Sequence, residues 1–274
     1  MRPVLFYFPY GVPLYAYGLM LTISVIVGRL IALRLAERAG IDAKLADRCA
    51  VWTLVGAIIG SRLLFVVTNL GEFDHVLEIF AWWKGGVVAY GGFLGGLASA
   101  IVFCRIHGIS LLAWADCVAP SLCVGLAITR VGCFLGGCDF GRPWNGAWAV
   151  RFPAGSQASI QQAALGLLPS ATMESLPVHP TQLYESLAGV VLLCLVAAVL
   201  RRKLLPGHAL VAFALGYAVL RYLIEIVRAD PGRGAIGPWS TSQFIAIVTF
   251  VAASVLLYVL RRRSAGLSNL APAV

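Results

Sequence analysis

Residues 128–143 read ITRVGCFLGGCDFGRP. This segment begins at the end of a long apolar run and continues into a loop rich in glycine. Arg130 ends the apolar run, Cys133 and Cys138 follow among glycines, and Arg142 closes the segment. A cationic side chain is costly at membrane depth and commonly marks a functional site. The stretch therefore predicts both the end of a membrane-spanning helix and the position of a site.

The composition of the whole chain is that of a membrane protein. Its 274 residues are 60% hydrophobic and 12% charged, with a mean hydropathy of +0.87, whereas soluble domains average roughly 25% charged residues. The net charge of +9 would suit nucleic acid. However, the basic residues are divided among short loops, as the positive-inside rule requires. We therefore expect a membrane protein with no nucleic-acid partner.

Seven apolar runs are long enough to cross a bilayer, which needs roughly 20 residues in a helix. Backbone polar groups find no water in lipid, so uninterrupted runs of this length predict helices. The expected fold class is an all-α integral membrane protein with seven transmembrane helices. The runs lie near 13–35, 49–69, 86–105, 112–130, 181–200, 207–227 and 240–260.

The basic loops predict the orientation of these helices. The denser set of Lys and Arg should be cytoplasmic, and it includes Arg34, Arg38, Arg201, Arg202 and the run from Arg261 to Arg263. The N-terminus is then outside and the C-terminus is cytoplasmic.

The same pattern predicts the domain organisation. Residues 1–263 form a single polytopic membrane domain, and 264–274 form a disordered cytoplasmic tail. Residues 131–180 form a small extracytoplasmic head between helices 4 and 5. Within that head, 147–152 could be a strand and 157–168 a short helix.

Other charged side chains interrupt the apolar runs. Arg62 lies in the second run, Glu185 opens the fifth, and Tyr217, Arg221 and Glu225 are spaced four apart in the sixth, so these three share one helix face. One explanation is that the charges pair with one another and pin the helices together.

A functional explanation is a phospholipid site at the outer leaflet. The predicted orientation places Arg130, Arg142, Arg221 and Arg228 toward that leaflet, and arginine is suited to bidentate phosphate contacts. In lipid, the available phosphate is a headgroup. Tyr17 has a glycine directly after it, so its phenol could also reach a headgroup.

Six segments of the chain resemble the prolipoprotein diacylglyceryl transferase family, in the family's order and spacing. They are YGLM at 17–20, GAIIGSRLLFVV at 56–67, GGVVAYGGFLGG at 85–96, ITRVGCFLGGCDFGRP at 128–143, HPTQLYE at 179–185 and RYLIEIVRADP at 221–231.

The resemblance implies a multi-pass enzyme of the bacterial inner membrane, with its active site toward the outer leaflet. Such enzymes transfer the diacylglyceryl group of phosphatidylglycerol to the lipobox cysteine of a prolipoprotein. The product is a thioether, and glycerol phosphate leaves. No metal or other cofactor is expected.

The resemblance matches Tyr17, Arg130, Gly141, Tyr217, Arg221 and Glu225 to family positions, and HPTQLYE matches through Glu185. The other site residues are expected from their charge or their place in these segments. Arg130 and Arg221 would hold the phosphate and stabilise the leaving group. The expected catalytic residues are Arg130, Arg221, Glu225, Tyr90 and Tyr17. The expected substrate-binding residues are Arg62, Cys133, Cys138, Gly141, Arg142, Glu185, Tyr217 and Arg228.

Three positions depart from the family pattern. Tyr90 replaces a histidine, Cys133 an asparagine and Cys138 a glutamate. A tyrosine with a pKa of about 10 is a poor base, so the base stays open between Glu225 and Tyr90.

Two alternatives follow from these departures. One is a paralogous phospholipid-dependent enzyme that uses Cys133 or Cys138 as its nucleophile. The other is a non-enzymatic lipid-binding membrane protein in which the two cysteines form a disulfide or a redox pair.

Overall fold

The computed structural model describes residues 3–73, 75, 78–79, 85–202, 204–229 and 234–268. Among these residues, seven helices are long and apolar enough to cross a membrane, which confirms the predicted fold class. They are α1 (Ala16–Arg38), α2 (Ala43–Thr68), α3 (Ala89–Ile106), α4 (Leu111–Gly136), α6 (Thr181–Arg201), α7 (His208–Val227) and α8 (Thr241–Ser268). Their outward faces carry exposed Leu, Ile, Val and Phe side chains, as helices that contact lipid require.

Two helix ends differ from the prediction. Helix α4 does not end near Arg130 but continues to Gly136, so Cys133 lies on the helix, one turn beyond the arginine. Helix α8 reaches Ser268 and so extends into the segment predicted as a disordered tail. The rest of that tail, 269–274, lies outside the described residues, as do Asp230 and Pro231 of the last family-like segment.

The predicted head contains the short helix but not the strand. Helix α5 (Gln157–Ala164) is capped by Ser156, whose Oγ accepts a hydrogen bond from the Ser159 amide at 3.3 Å. The strand predicted at 147–152 is wrong, because only Val150 forms an isolated bridge there, with Val178.

Two short hairpins occur among the other described residues, and neither was predicted from the sequence. Strand β1 (Val4–Tyr7) pairs with β2 (Pro13–Tyr15), and β3 (Ala235–Ile236) pairs with β4 (Trp239–Ser240), both antiparallel.

The chain divides into two compact units, Met1–Leu30 with Val118–Val274 and Ile31–Cys117. In the second unit, α2 and α3 pack through glycines. A Cβ on Gly60 would lie 2.3 Å from the Gly91 carbonyl oxygen, and one on Gly95 would lie 2.2 Å from that of Gly56. Larger residues could not occupy these positions at this backbone separation, as is usual for small residues four apart in membrane helices.

In the first unit, α4 and α6 make a comparable close approach. A Cβ on Gly189 would lie 2.7 Å from the Ala127 nitrogen, and the Ser186 hydroxyl donates a hydrogen bond of 2.7 Å to the Ala127 carbonyl. This contact fixes the start of α6, which carries Glu185, beside the end of α4, which carries Arg130.

The head has a small apolar core of its own. The buried side chains of Phe140, Phe152, Ala158 and Val178 form it, and Phe134 of α4 packs against them. The core packs the loop after α4 against α5 and against the segment that leads into α6. These contacts fix the position of the loop.

Candidate active site

The end of α4 brings the two cysteines together. Gly137 has a φ of +74° and ends the helix, and the Cys138 amide then donates a hydrogen bond of 3.2 Å to the Cys133 carbonyl. A bond from this position to the last helical turn is the Schellman motif that commonly ends helices at glycine. The sulfur atoms of Cys133 and Cys138 consequently lie within 4.8 Å of each other.

Gly141 is held between two other segments of the chain. Its amide donates to the His179 carbonyl at 3.0 Å, and the next amide, that of Arg142, donates to the Val227 carbonyl at 2.8 Å. A Cβ on Gly141 would lie 2.6 Å from the His179 Cβ and 2.9 Å from the Val227 oxygen. Only glycine fits here, so the family-like Gly141 brings the loop against the segments that lead into α6 and out of α7. Its substrate-binding role stays a prediction.

Glu185 is the acceptor at the centre of the site. Its Oε1 accepts from Arg221 at 2.8 Å and from Arg228 at 3.1 Å. Its Oε2 forms an ion pair with the Nε of Arg130. The Glu185 side chain is only 4% exposed, so its negative charge is available almost exclusively to these guanidinium groups.

Asp139 is the second shared acceptor. Its Oδ2 accepts from Arg130 Nη1 at 2.5 Å, and its Oδ1 pairs with Arg228 Nη2. Burial alone would raise the pKa of this carboxyl, but Arg130 and Arg228 outweigh it, so the pKa of Asp139 is lowered. Asp139 has a φ of 58°, a left-handed conformation that Asp tolerates better than most residues.

Asp139 is not among the site residues predicted from the sequence. The available signal was that a carboxylate lay nine residues after an arginine that lacked a partner on its own helix. Sequence spacing could not show that the Schellman turn directs the chain back toward Arg130.

On α7, Arg221 and Glu225 pair as the helix spacing predicts. Arg221 Nη2 lies 2.9 Å from Glu225 Oε2 and donates to the Ser242 hydroxyl at 2.8 Å. The Ser240 hydroxyl donates to the other Glu225 oxygen at 2.8 Å. Glu225 is almost fully buried behind Arg221, a position that suits it to orienting the guanidinium.

The result is a charge-balanced network of three arginines and three carboxylates. Its members are unequally exposed. Arg221, Arg228, Glu185 and Glu225 are each at most 10% exposed, whereas Arg130 is 22% and Asp139 is 28% exposed. Arg130 and Asp139 therefore form the open edge of the network, and within the described part of the chain no hydrogen-bond partner occupies Arg130 Nη2.

Three further residues of the predicted site occupy different surroundings. Tyr17 lies against Gly132, where an added Cβ would come within 3.1 Å of the Tyr17 Cα, and its phenol interacts electrostatically with Arg130 and Cys133. Arg142 is exposed. Tyr217 instead stacks on Phe213 at 5.7 Å and packs against the apolar cluster of α4, α6 and α7.

Arg62 and Tyr90 belong to the second unit. Arg62 is buried and donates four hydrogen bonds of 2.6–2.9 Å to the carbonyls of Glu78, Ile79, Gly85 and Gly86. These contacts give it a role in holding the loop before α3. Tyr90 lies in the first turn of α3. The substrate-binding role of Arg62 and the catalytic role of Tyr90 stay predictions.

Cys133, Cys138 and Asp139 each offer a donor atom, and these atoms lie within 4.8 Å of one another. By distance alone they could surround a metal ion. Both Asp139 oxygens already accept from arginines, however, and those two positive charges would repel a cation. The arrangement is better suited to an anion at Arg130.

Comparison with known proteins identifies the family of the chain. The family model described as prolipoprotein diacylglyceryl transferase matches residues 3–259. A phosphatidylglycerol–prolipoprotein diacylglyceryl transferase of Gloeobacter violaceus is 34% identical over 91% of this chain and 89% of its own length. Proteins of the same name from Geobacter sulfurreducens and Clostridium tetani are 32% and 28% identical, over 91% and 92% of this chain and 92% and 94% of their own lengths. The chain therefore belongs to the prolipoprotein diacylglyceryl transferase family.

Proposed function

We propose that this protein transfers the diacylglyceryl group of phosphatidylglycerol to the lipobox cysteine of a prolipoprotein, with release of glycerol phosphate. The names of its relatives specify this donor and this class of acceptor. The reaction takes place on the network of Arg130, Asp139, Glu185, Arg221 and Arg228.

The proposal rests on how the guanidinium of Arg130 is held by its neighbours. Asp139 and Glu185 fix its Nη1 and Nε, while Nη2 is left for another acceptor at the exposed edge of the network. A guanidinium that is held in place before the ligand arrives costs little reorganisation when a phosphate binds. Arginine also matches the planar geometry of phosphate oxygens.

The chemistry requires one bond to form and one to break. The acceptor thiolate attacks the glyceryl carbon that bears the phosphate, so a carbon–sulfur bond forms. The carbon–oxygen bond breaks, and the electron pair leaves with glycerol phosphate. Negative charge accumulates on that phosphate in the transition state, where Arg130 stabilises it. Arg221 and Arg228 pair with Glu185 and Asp139, and these two carboxylates in turn hold Arg130 in position.

The acceptor thiol must lose its proton before it attacks, because the thiolate is the nucleophile. Arg130 favours the thiolate by its positive charge. Both oxygens of Glu225 are engaged, by Arg221 and by Ser240, which favours an orienting role for Glu225 over a role as the base. Tyr90 stays the other candidate base.

We further place the protein in the bacterial inner membrane with the head and the site toward the outer leaflet. The density of basic residues in alternate loops supports this orientation. Reporter fusions test it. An exported phosphatase should be active when fused within the head, after Ser170, and inactive when fused after Ser264. The opposite pattern would invert the topology.

Transferase activity is tested with the purified protein, phosphatidylglycerol and a lipobox peptide, by mass analysis of the peptide. The wild-type chain should add one diacylglyceryl group to the cysteine, and Arg130→Gln should lower the rate by at least about 100-fold, the usual cost of removing a transition-state donor. The matched control is Arg151→Gln, which removes a head arginine that donates to the Ser175 carbonyl and takes no part in the network. Unchanged activity of Arg130→Gln would remove the basis of the proposal.

A cysteine-nucleophile enzyme is a second candidate, because Cys133 lies 3.7 Å from Arg130 Nη1. The serine variants of Cys133 and Cys138 separate it from the first. The transferase proposal expects both variants to modify the peptide, since the attacking sulfur belongs to the acceptor. Complete loss in one variant, together with an adduct on that cysteine in the wild-type protein, would favour the second candidate.

A further inference from the structure

Cys133 and Cys138 are both free thiols, although their sulfur atoms lie within 4.8 Å of each other. A disulfide needs a sulfur–sulfur distance of about 2.05 Å and a Cβ–Cβ distance of about 3.5–4.5 Å. The Schellman turn already stacks the two residues, with the Cys138 amide hydrogen-bonded to the Cys133 carbonyl at 3.2 Å. Rotation of the side chains, with a small movement of the loop, would therefore bring the sulfurs to bonding distance.

We propose that Cys133 and Cys138 form a redox-active dithiol that exchanges with disulfides, with Cys138 as the attacking thiol and Cys133 as the resolving thiol. This inference goes beyond the proposed function, which uses neither sulfur. The co-reactant is a small-molecule disulfide or the disulfide of a thiol oxidoreductase.

The exchange proceeds in two balanced steps. The Cys138 thiolate attacks one sulfur of the co-reactant, its disulfide breaks, and the released thiolate takes up a proton. The Cys133 thiolate then attacks the Cys138 sulfur, forms the Cys133–Cys138 disulfide and expels the second co-reactant thiolate. Two electrons pass from the protein to the co-reactant, and a dithiol reductant reverses both steps.

The two cysteines differ in the way that these roles require. Cys133 is 3% exposed, whereas Cys138 is partly exposed beyond the end of α4. The Cys138 thiol donates to the Cys133 carbonyl at 3.7 Å and to Asp139 Oδ2 at 4.0 Å. The neighbouring Cys133 side chain and Arg130 lower the pKa of the Cys138 thiol, against the effects of burial and of Asp139. An accessible thiol with a lowered pKa is the usual attacking group in thiol–disulfide exchange.

A second pair of cysteines provides an internal control. Cys49 and Cys104 lie 4.0 Å apart, on α2 and α3, and both are buried among apolar side chains. Proximity is thus similar in the two pairs, but Cys138 is partly exposed and its partner Cys133 lies 3.7 Å from Arg130 Nη1, whereas Cys49 and Cys104 are both buried. If distance alone decided reactivity, both pairs would oxidise.

The test equilibrates the purified full-length protein in buffers with graded ratios of reduced to oxidised dithiothreitol. The protein is quenched in acid, unfolded and alkylated, and peptide mass spectrometry then measures the label on each cysteine. We expect the labels on Cys133 and Cys138 to disappear together and to the same fraction, with a disulfide-linked peptide in their place. Cys49 and Cys104 should keep their labels.

Two variants assign the roles of the sulfurs. In oxidised glutathione, Cys133→Ser should accumulate a stable mixed disulfide on Cys138, because the resolving thiol is absent. Cys138→Ser should leave Cys133 unmodified at the same exposure time. Full labelling of Cys133 and Cys138 in the most oxidising buffer, or equal oxidation of the Cys49–Cys104 pair, would overturn the proposal. The cysteine labels are measured without any substrate turnover. The result therefore does not depend on whether the protein has transferase activity.

Discussion

Arg221 of α7 donates a hydrogen bond of 2.8 Å to Oε1 of Glu185 on α6, across 36 residues of sequence. Arg228 reaches the same oxygen at 3.1 Å, and Arg130 of α4 pairs with the other oxygen. One buried carboxylate thus connects three segments that carry the family-like motifs. It neutralises part of their charge and fixes the direction in which each guanidinium points.

Replacing Glu185 tests this central position. Glu185→Gln removes the negative charge and leaves three arginines close together. Breaking a buried ion pair from one side typically costs about 3–5 kcal/mol, so we expect a lower thermal midpoint as well as a loss of transferase activity of at least about 100-fold.

The control for that experiment is Glu174→Gln, since Glu174 is an exposed carboxylate of the head. Its thermal midpoint and activity should match those of the wild-type protein. Wild-type stability in Glu185→Gln would show that the three arginines do not depend on the shared carboxylate.

Replacing Gly141 tests how the loop is held. In Gly141→Ala the new Cβ would lie 2.6 Å from the His179 Cβ and 2.7 Å from the His179 oxygen. We expect a destabilisation of about 1–3 kcal/mol, as for other overpacked positions, and reduced activity because Asp139 shifts. Gly136→Ala, in the same stretch, meets nothing within 4 Å and should have the wild-type thermal midpoint. Equal thermal midpoints for the two variants would contradict the close packing.

The lowered pKa of Asp139 predicts that part of the stability of the fold is lost in acid. Its folded-state pKa is lowered from an unfolded value of about 3.9, so its ionised form stabilises the fold above about pH 4. That contribution is lost as the pH falls through the lower, folded-state pKa. The thermal midpoint of Asp139→Asn should therefore be below that of the wild type near neutral pH, and the difference should shrink in acid. A difference that is constant with pH would rule out this ion pairing as its cause.

Arg142 gives a prediction about substrate binding. Its guanidinium is exposed, whereas the three arginines of the network are all engaged by carboxylates. We expect Arg142→Gln to raise the KM for phosphatidylglycerol about fivefold, equivalent to about 1 kcal/mol per basic residue at an anionic surface, with kcat unchanged. High salt should reduce the difference by screening.

The comparison variant for Arg142 is Arg151→Gln, which removes the same charge from the same head and should keep the wild-type KM. A fall in kcat at constant KM in Arg142→Gln would instead assign Arg142 to the chemical step.

The sequence by itself determined the membrane architecture and the region of the site. Run length and the cost of unpaired backbone groups in lipid are local properties, so seven spans could be predicted before any contact was known. The cost of charge at membrane depth is equally local, and it singled out Arg130, Glu185, Arg221 and Glu225. The pairing of Arg221 with Glu225 followed from helix spacing alone.

Only the tertiary structure decided which charges meet. Arg130, Arg221 and Arg228 can all pair with Glu185 because α4 and α6 pack closely at Gly189. The role of Asp139 depends on the continuation of α4 past its predicted end and on the turn at Gly137, which reverses the chain. Tyr217 shares a helix face with Arg221, yet it packs into an apolar cluster. Sequence spacing defines faces along one helix, whereas partners on different helices are fixed by how closely their backbones approach.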